Sequence, residues 1–141
     1  MRYLLTALRL ILAAVFLYAA YTKLREPWLV FAMSIDAYQI LPQWAVLTLG
    51  RTIPWLELLL GLLLATGFAL RYAAPAAAIL LGLFFGIMAH AYAQGLKIDC
   101  GCFGLGEPIS ARTLLRDGVF LALSIALAFL AFRPPCLPRA A

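Results

Sequence analysis

Polar residues are so sparse along this chain that long apolar runs, rather than any alternation, define its elements. Four runs, at about 3–22, 44–70, 73–93 and 111–132, are long enough to cross a hydrocarbon core, which takes about 20 helical residues. Lipid offers no hydrogen bonds to a backbone, so such runs must be helices that satisfy their own N–H and C=O groups. The pattern therefore predicts an all-α membrane protein, a four-transmembrane-helix bundle built as one domain over 1–141. With an even number of spans, both termini fall on one side. The first run has Arg2 near its start and Ala19-Ala20 near its end, as a secretory leader would. Its apolar stretch is nearer 20 residues than the roughly 7–15 of a leader core, however, and Arg9 interrupts it. It is read as a retained helix.

The segments between the runs are equally readable. Pro27 ends the first span, because a proline neither donates a backbone hydrogen bond nor tolerates a helical residue before it. The stretch 28–40 is too short to span, and its Trp28, Phe31, Ile35 and Tyr38 recur at steps of three and four. That spacing predicts an amphipathic helix lying in the membrane interface, closed by Leu41-Pro42. Leu70-Arg71-Tyr72 reads as a very short turn, with Pro75 in the first turn of the next helix, where proline is tolerated. Pro54 reads as a break in the second span. The gap from Gln94 to Ser110 contains Gly95, Gly101, Gly104, Gly106 and Pro108, a turn-rich composition. Ser110 is a helix N-cap for the fourth span, with Ile109 and Leu114 placed to staple it.

Composition narrows the class further. Hydrophobic residues make up 66% of the chain and charged residues 12%, with a mean hydropathy of +1.00; a soluble domain would be roughly a quarter charged. Eleven basic against 6 acidic residues leave a net charge of +5, carried mostly at the ends of the apolar runs, where it meets lipid headgroups. No basic run with interleaved aromatics is present, which excludes nucleic acid as a partner. Gly82 and Gly86 form a GxxxG compatible with a homodimer. Arg2, Arg9, Arg71, Arg133 and Arg139 lie on the side of the termini, and Lys23, Arg25, Arg51, Lys97, Arg112 and Arg116 on the other. So even a split does not orient the protein by the positive-inside rule.

The chemistry concentrates in two places. Asp99-Cys100-Gly101-Cys102-Phe103-Gly104 puts two thiols one residue apart in the polar gap before the fourth span. At that spacing the two Cα atoms fall near the separation a disulfide requires, and the glycine between them relaxes the backbone. Such a small ring is strained, and strained exposed disulfides are the exchangeable ones. A redox-active pair is the leading reading, with Lys97 favouring a thiolate and Asp99 opposing it. A soft-metal site, copper(I) at Cys100 and Cys102 with His90, is the alternative, as is a disulfide that only pins the loop. The second place is Glu57, a carboxylate within a span, which calls for a named partner. Lys23, at the end of the first span, is that partner, giving either a structural ion pair or a proton-handling group. Cys136, in the basic tail on the opposite face from the CGC gap, is read as a bystander. If the pair is redox-active the gap belongs outside the cytosol, where disulfides persist, with both termini cytoplasmic.

These residues together resemble a known family, the MauE-type methylamine-utilisation membrane proteins within the wider DoxX-like group. The resemblance is carried by Lys23-Leu24 with Pro27, Tyr38 and Leu41-Pro42, and Pro54 with Glu57 and Gly61. Its most specific part is Cys100-Gly101-Cys102-Phe103-Gly104, followed by Ser110 and Arg116-Asp117. It implies a multi-pass protein of the bacterial inner membrane that supports maturation and disulfide formation of periplasmic proteins. The implied client is of the type of the small subunit of methylamine dehydrogenase, and the implied partner a thioredoxin-like protein. Carried over by position, Cys100 and Cys102 are the redox pair, with Lys23 and Glu57 a polar pair inside the bundle. A quinone as electron acceptor follows only by analogy with other membrane thiol oxidases. A non-catalytic assembly or chaperone factor is the other function compatible with this resemblance.

Overall fold

A computed structural model describes residues 2–98 and 108–132. The described residues form five α-helices and no β-strand: α1 (Arg2–Arg25), α2 (Trp28–Asp36), α3 (Gln43–Thr66), α4 (Leu70–Ala93) and α5 (Ala111–Phe132). Helices α1, α3, α4 and α5 are each long and apolar enough to cross a membrane, so the chain is a multi-pass membrane protein. In the bundle α1 packs on α3, α3 on α4, α4 on α5 and α5 back on α1, closing a ring, while α2 lies against α3.

Each long helix turns one stripe inward. On α1 the buried residues include Leu8, Leu12, Phe16, Ala20 and Lys23; on α5 they are Thr113, Asp117, Ser124 and Leu127. On α3 they are Val46, Gly50, Ile53, Glu57, Leu60 and Leu64, at the steps of three and four that keep one helical face toward its neighbours. The opposite faces carry exposed Leu10, Leu59, Ile79, Leu83 and Phe129, as suits helices whose outer solvent is hydrocarbon. Lipid is as apolar as leucine, so close packing and polar contacts must hold such helices together. Toward the end carrying the termini, Leu12, Leu64, Ala74, Ala77 and Leu127 pack into a core with no exposure at all.

The interfacial helix is present but ends earlier than its apolar spacing predicts, at Asp36 rather than near residue 40. Gln39 takes φ 53°, a left-handed conformation in which an α-helix cannot continue. The predicted inward residues of this helix do face the bundle: Phe31 is buried, and Trp28 and Ile35 are half-buried. The α3–α4 turn also differs. It is Gly67 to Ala69, not residues 70–72, and Pro75 therefore sits in the second turn of α4 rather than the first. Gly67 closes α3 with φ 76° and donates its N–H to the Leu63 carbonyl at 2.9 Å, a left-handed cap that glycine adopts without steric cost. A Cβ there would stand 2.5 Å from Arg9 Nη1. Arg9 thus packs against the C-terminus of α3, where a cation offsets the helix dipole.

Pro54 does not break the second span, contrary to its sequence reading; α3 runs unbroken through it. The Gly50 carbonyl loses its partner four residues on, a loss that packed membrane helices tolerate. Ser110 caps α5 as predicted: the Thr113 N–H donates to its hydroxyl at 3.3 Å, while the Ser110 N–H donates to the Thr113 hydroxyl at 2.8 Å. This is the reciprocal geometry of a capping box with threonine in the glutamate position. The Ile109 N–H donates to the Ile98 carbonyl at 3.0 Å. Between these two residues lie 99–107, with Cys100 and Cys102, outside the described residues. Cys136, in the tail, is outside them as well.

Gly50 of α3 packs tightly against Ala32 of α2, where a Cβ would meet Ala32 Cβ at 2.7 Å and its Cα at 3.1 Å. Gly86, by contrast, has open space around it. Gly50→Ala is therefore expected to lower stability by about 1–3 kcal/mol through overpacking. Gly86→Ala should cost nothing measurable by the same thermal melt in detergent.

Candidate functional site

One α1 stripe and one α3 stripe meet at a pair of charges. Lys23 Nζ donates to both carboxylate oxygens of Glu57, at 3.0 and 2.9 Å. The side chains are 1% and 6% exposed, so water contributes almost nothing to their solvation. Lys23 lies on the inward face because it continues the row Leu12, Phe16, Ala20 by one helical turn. Glu57 continues Gly50 and Ile53 in the same way. The ring of Phe31 from α2 lies 5.1 Å from the ammonium, within cation–π range. A second such contact, Arg51 over Trp28 at 4.8 Å, fastens the start of α2 to α3.

This pair borders a small cavity inside the ring of helices. Its walls come from all four: Phe16 and Lys23, Glu57, Phe84 and Phe85, and Asp117 with Phe120. The cavity volume is about 30 Å³, space for about one or two waters and far too little for a quinone ring. Asp117 is buried, and Arg116 Nε donates to its Oδ1 at 3.1 Å. Arg116 is 29% exposed and so carries the polar cluster out to the surface. Among the described residues, two cations and two carboxylates balance here, the condition under which ionised groups persist in a low-dielectric interior.

The site lies between the dry core and the end of the bundle that carries the α4–α5 connection. Asp117 follows the start of α5 by six residues, about 9 Å at the helical rise, and Lys23 is in the last turn of α1. Ser110 and Thr113 fix where α5 begins, and with it how deep Asp117 sits. His90 is exposed near the end of α4, and its Nε2 lies 3.4 Å from Gln94 Nε2. Among the described residues no group of three His, Cys, Asp or Glu side chains is gathered to hold a metal. Whether Cys100 and Cys102 join His90 falls outside them. Asp117 is the site residue that the sequence reading left without a role. Its signal was present, since Thr113, Asp117, Phe120, Ser124 and Leu127 recur at steps of four and three and form one face of α5.

Four apolar helices closed around a buried lysine–carboxylate cluster define a multi-pass membrane protein with a polar centre at one end. The chain belongs to the family of the methylamine utilisation protein MauE, which it matches over residues 1–131. A curated relative, the methylamine utilization protein MauE of Paracoccus denitrificans, is 34% identical over 127 residues, covering 88% of this chain and 68% of the relative. No solved structure matches the chain.

Removing one member of a buried pair strands the other charge, which costs about 3–5 kcal/mol. Lys23→Met and Glu57→Gln are each expected to destabilise the purified protein on that scale. The double variant Lys23→Met/Glu57→Leu, with neither charge left, should recover most of the loss. Thermal melts of the single and double variants in detergent give the coupling between the two residues directly.

Proposed function

We propose that this protein acts in methylamine utilisation as an inner-membrane maturation factor that oxidises thiols of a periplasmic client through Cys100 and Cys102. In this reading the α4–α5 connection faces the periplasm and both termini the cytoplasm. A client thiolate attacks one sulfur of the Cys100–Cys102 disulfide, and the second client thiol resolves the mixed disulfide. The client gains a disulfide, and the two cysteines take up the two electrons and two protons that it loses. A membrane quinone, or a thioredoxin-like disulfide partner, accepts those electrons and protons as the pair is reoxidised. The client is of the class of a disulfide-rich small subunit such as that of methylamine dehydrogenase.

The observation that carries the reading is where the chain holds its close cysteine pair. Both thiols lie in the segment whose flanking residues Ile98 and Ile109 are hydrogen-bonded to each other, beside a capped helix start. The buried Lys23, Glu57 and Asp117 lie between that end of the bundle and the dry core. Membership of the MauE family supports the methylamine link, and the turn-rich composition of residues 94–110 supports an exchangeable rather than a buried disulfide.

The test is alkylation trapping in membranes combined with Cys100→Ser and Cys102→Ser. The redox reading predicts thiols that interconvert between alkylatable and protected forms on treatment with dithiothreitol and an oxidant. Either serine variant should accumulate normally and abolish client disulfide formation, and with an added oxidant its remaining cysteine should trap a mixed disulfide with the client. Thiols that stay free under every redox challenge overturn the proposal. So does loss of accumulation in both variants with client oxidation per molecule unchanged, the behaviour of a structural staple in an assembly factor.

A further inference from the structure

At the end of the bundle that carries the termini, one cation has no opposite charge beside it among the described residues. Arg9 lies about two turns into α1 and packs against the turn between α3 and α4. Its Nε is enclosed and has no hydrogen-bond partner among those residues. Ionised side chains inside membrane spans pair with an opposite charge or with backbone carbonyls. We infer that the partner of Arg9 is the phosphate of an anionic phospholipid, held beside the α3–α4 turn.

The fold makes room for this guanidinium. Gly67 ends α3 at φ 76°, and a Cβ there would stand 2.5 Å from Arg9 Nη1 and 3.2 Å from its Cζ. The guanidinium occupies the space that the missing side chain leaves. Arg9 is only half-buried, so its side chain still reaches the outer face of the bundle while Nε is shut in. Negative charge is scarce around it. The C-terminus of α3 offers about half an elementary charge, too little to balance a guanidinium. Among the described residues the acidic side chains are Glu26, Asp36, Glu57 and Asp117. Glu57, the one nearest this turn along the chain, precedes Gly67 by ten residues, about 15 Å at the helical rise.

The surroundings add positive charge instead. Helix α4 starts at Leu70 with no side-chain cap and no acidic residue in its first turn, which leaves its positive end three residues from Gly67. Arg71 in that turn is exposed, its guanidinium 5.8 Å from the ring of Phe132. The basic residues on the side of the termini are all arginines, whereas both lysines, Lys23 and Lys97, belong to the other side. A guanidinium offers a phosphate paired N–H donors, which an ammonium does not. Depth decides whose phosphate it is. Tyr3, Phe68 and Tyr72 are exposed around this level, and such aromatic side chains collect where hydrocarbon meets headgroups. A phosphate there belongs to a lipid, whose acyl chains run along the exposed apolar faces at Leu10 and Leu62. The bound lipid ties α1 to the hairpin of α3 and α4.

The experiment uses the full chain in a neutral detergent, titrated with phosphatidylglycerol, with phosphatidylcholine of the same chain length, or with inorganic phosphate. Phosphatidylglycerol should raise the melting temperature to a plateau, because a ligand that binds only the folded state stabilises it. Phosphatidylcholine, whose quaternary ammonium is repelled by the arginines, and inorganic phosphate should not. The half-saturating concentration should rise about 10-fold in Arg9→Gln, the scale of hydrogen bonds to a charged group. Arg9→Lys should recover little of that loss, since it keeps the charge without the paired donors. Arg112→Gln, which removes an exposed cation at the other end, should leave the titration unchanged. If Arg9→Gln fails to accumulate, Arg9→Lys and the comparison of lipids on the wild type decide. Equal stabilisation by phosphatidylcholine, or a phosphatidylglycerol titration unaltered by loss of Arg9, overturns the inference. Matching stabilisation by inorganic phosphate overturns the lipid assignment. A full response in Arg9→Lys, or an equal loss in Arg112→Gln, is the mark of diffuse charge attraction and overturns the site as well.

Discussion

The bundle is organised around the contact between Lys23 and Glu57. A lone ammonium or carboxylate in a membrane interior would have to neutralise or drag water in with it. Paired at 2.9 Å with both carboxylate oxygens engaged, each is the other's solvent. The pair therefore dictates which faces of α1 and α3 meet and at what depth, a specification that leucine against leucine cannot make in a hydrocarbon solvent. Phe31 of α2 lies on the same ammonium, so the short interfacial helix is tied to the same point.

That constraint divides the bundle into two ends of different character. Toward the termini, Leu12, Leu64, Ala74, Ala77 and Leu127 form a dry, fully enclosed core. Its packing is helped by small residues on α4 and by Arg9 against the last turn of α3. Toward the α4–α5 connection, the corresponding layer holds two carboxylates, an ammonium and a water-sized cavity. The apolar end maintains the helix register on which the polar geometry depends.

Much of this is legible in the residues taken alone. The four spans follow from run length, the interfacial helix from the spacing of Trp28, Phe31 and Ile35, and the start of α5 from Ser110. The partnership of Lys23 and Glu57 is readable because each sits in an otherwise apolar run at a depth set by the hairpin-like order of the helices. Asp117 is less obvious, since Arg116 beside it offers a simple local explanation for its charge. Only the inward row that it shares with Phe120, Ser124 and Leu127 reveals that it points at the same cavity. Pro54 misleads for a related reason: a proline ends an isolated helix, but within a bundle its neighbours' packing outweighs one lost hydrogen bond.

The amino-acid sequence by itself determined the class, the number of spans, the buried ion pair and the segment that carries the thiols. These depend on composition and on one-dimensional spacing, which the solvent acts on directly: hydrocarbon selects helices, and a charge within a helix demands a partner. Tertiary structure alone decided that Asp117 lines the same cavity as Lys23 and Glu57, that aromatic rings from three helices line it with them, and that its volume is about 30 Å³. Those properties arise where α1, α3, α4 and α5 converge. The size and lining of a cavity depend on how side chains from separate helices interdigitate, and no single stretch of the chain contains that information.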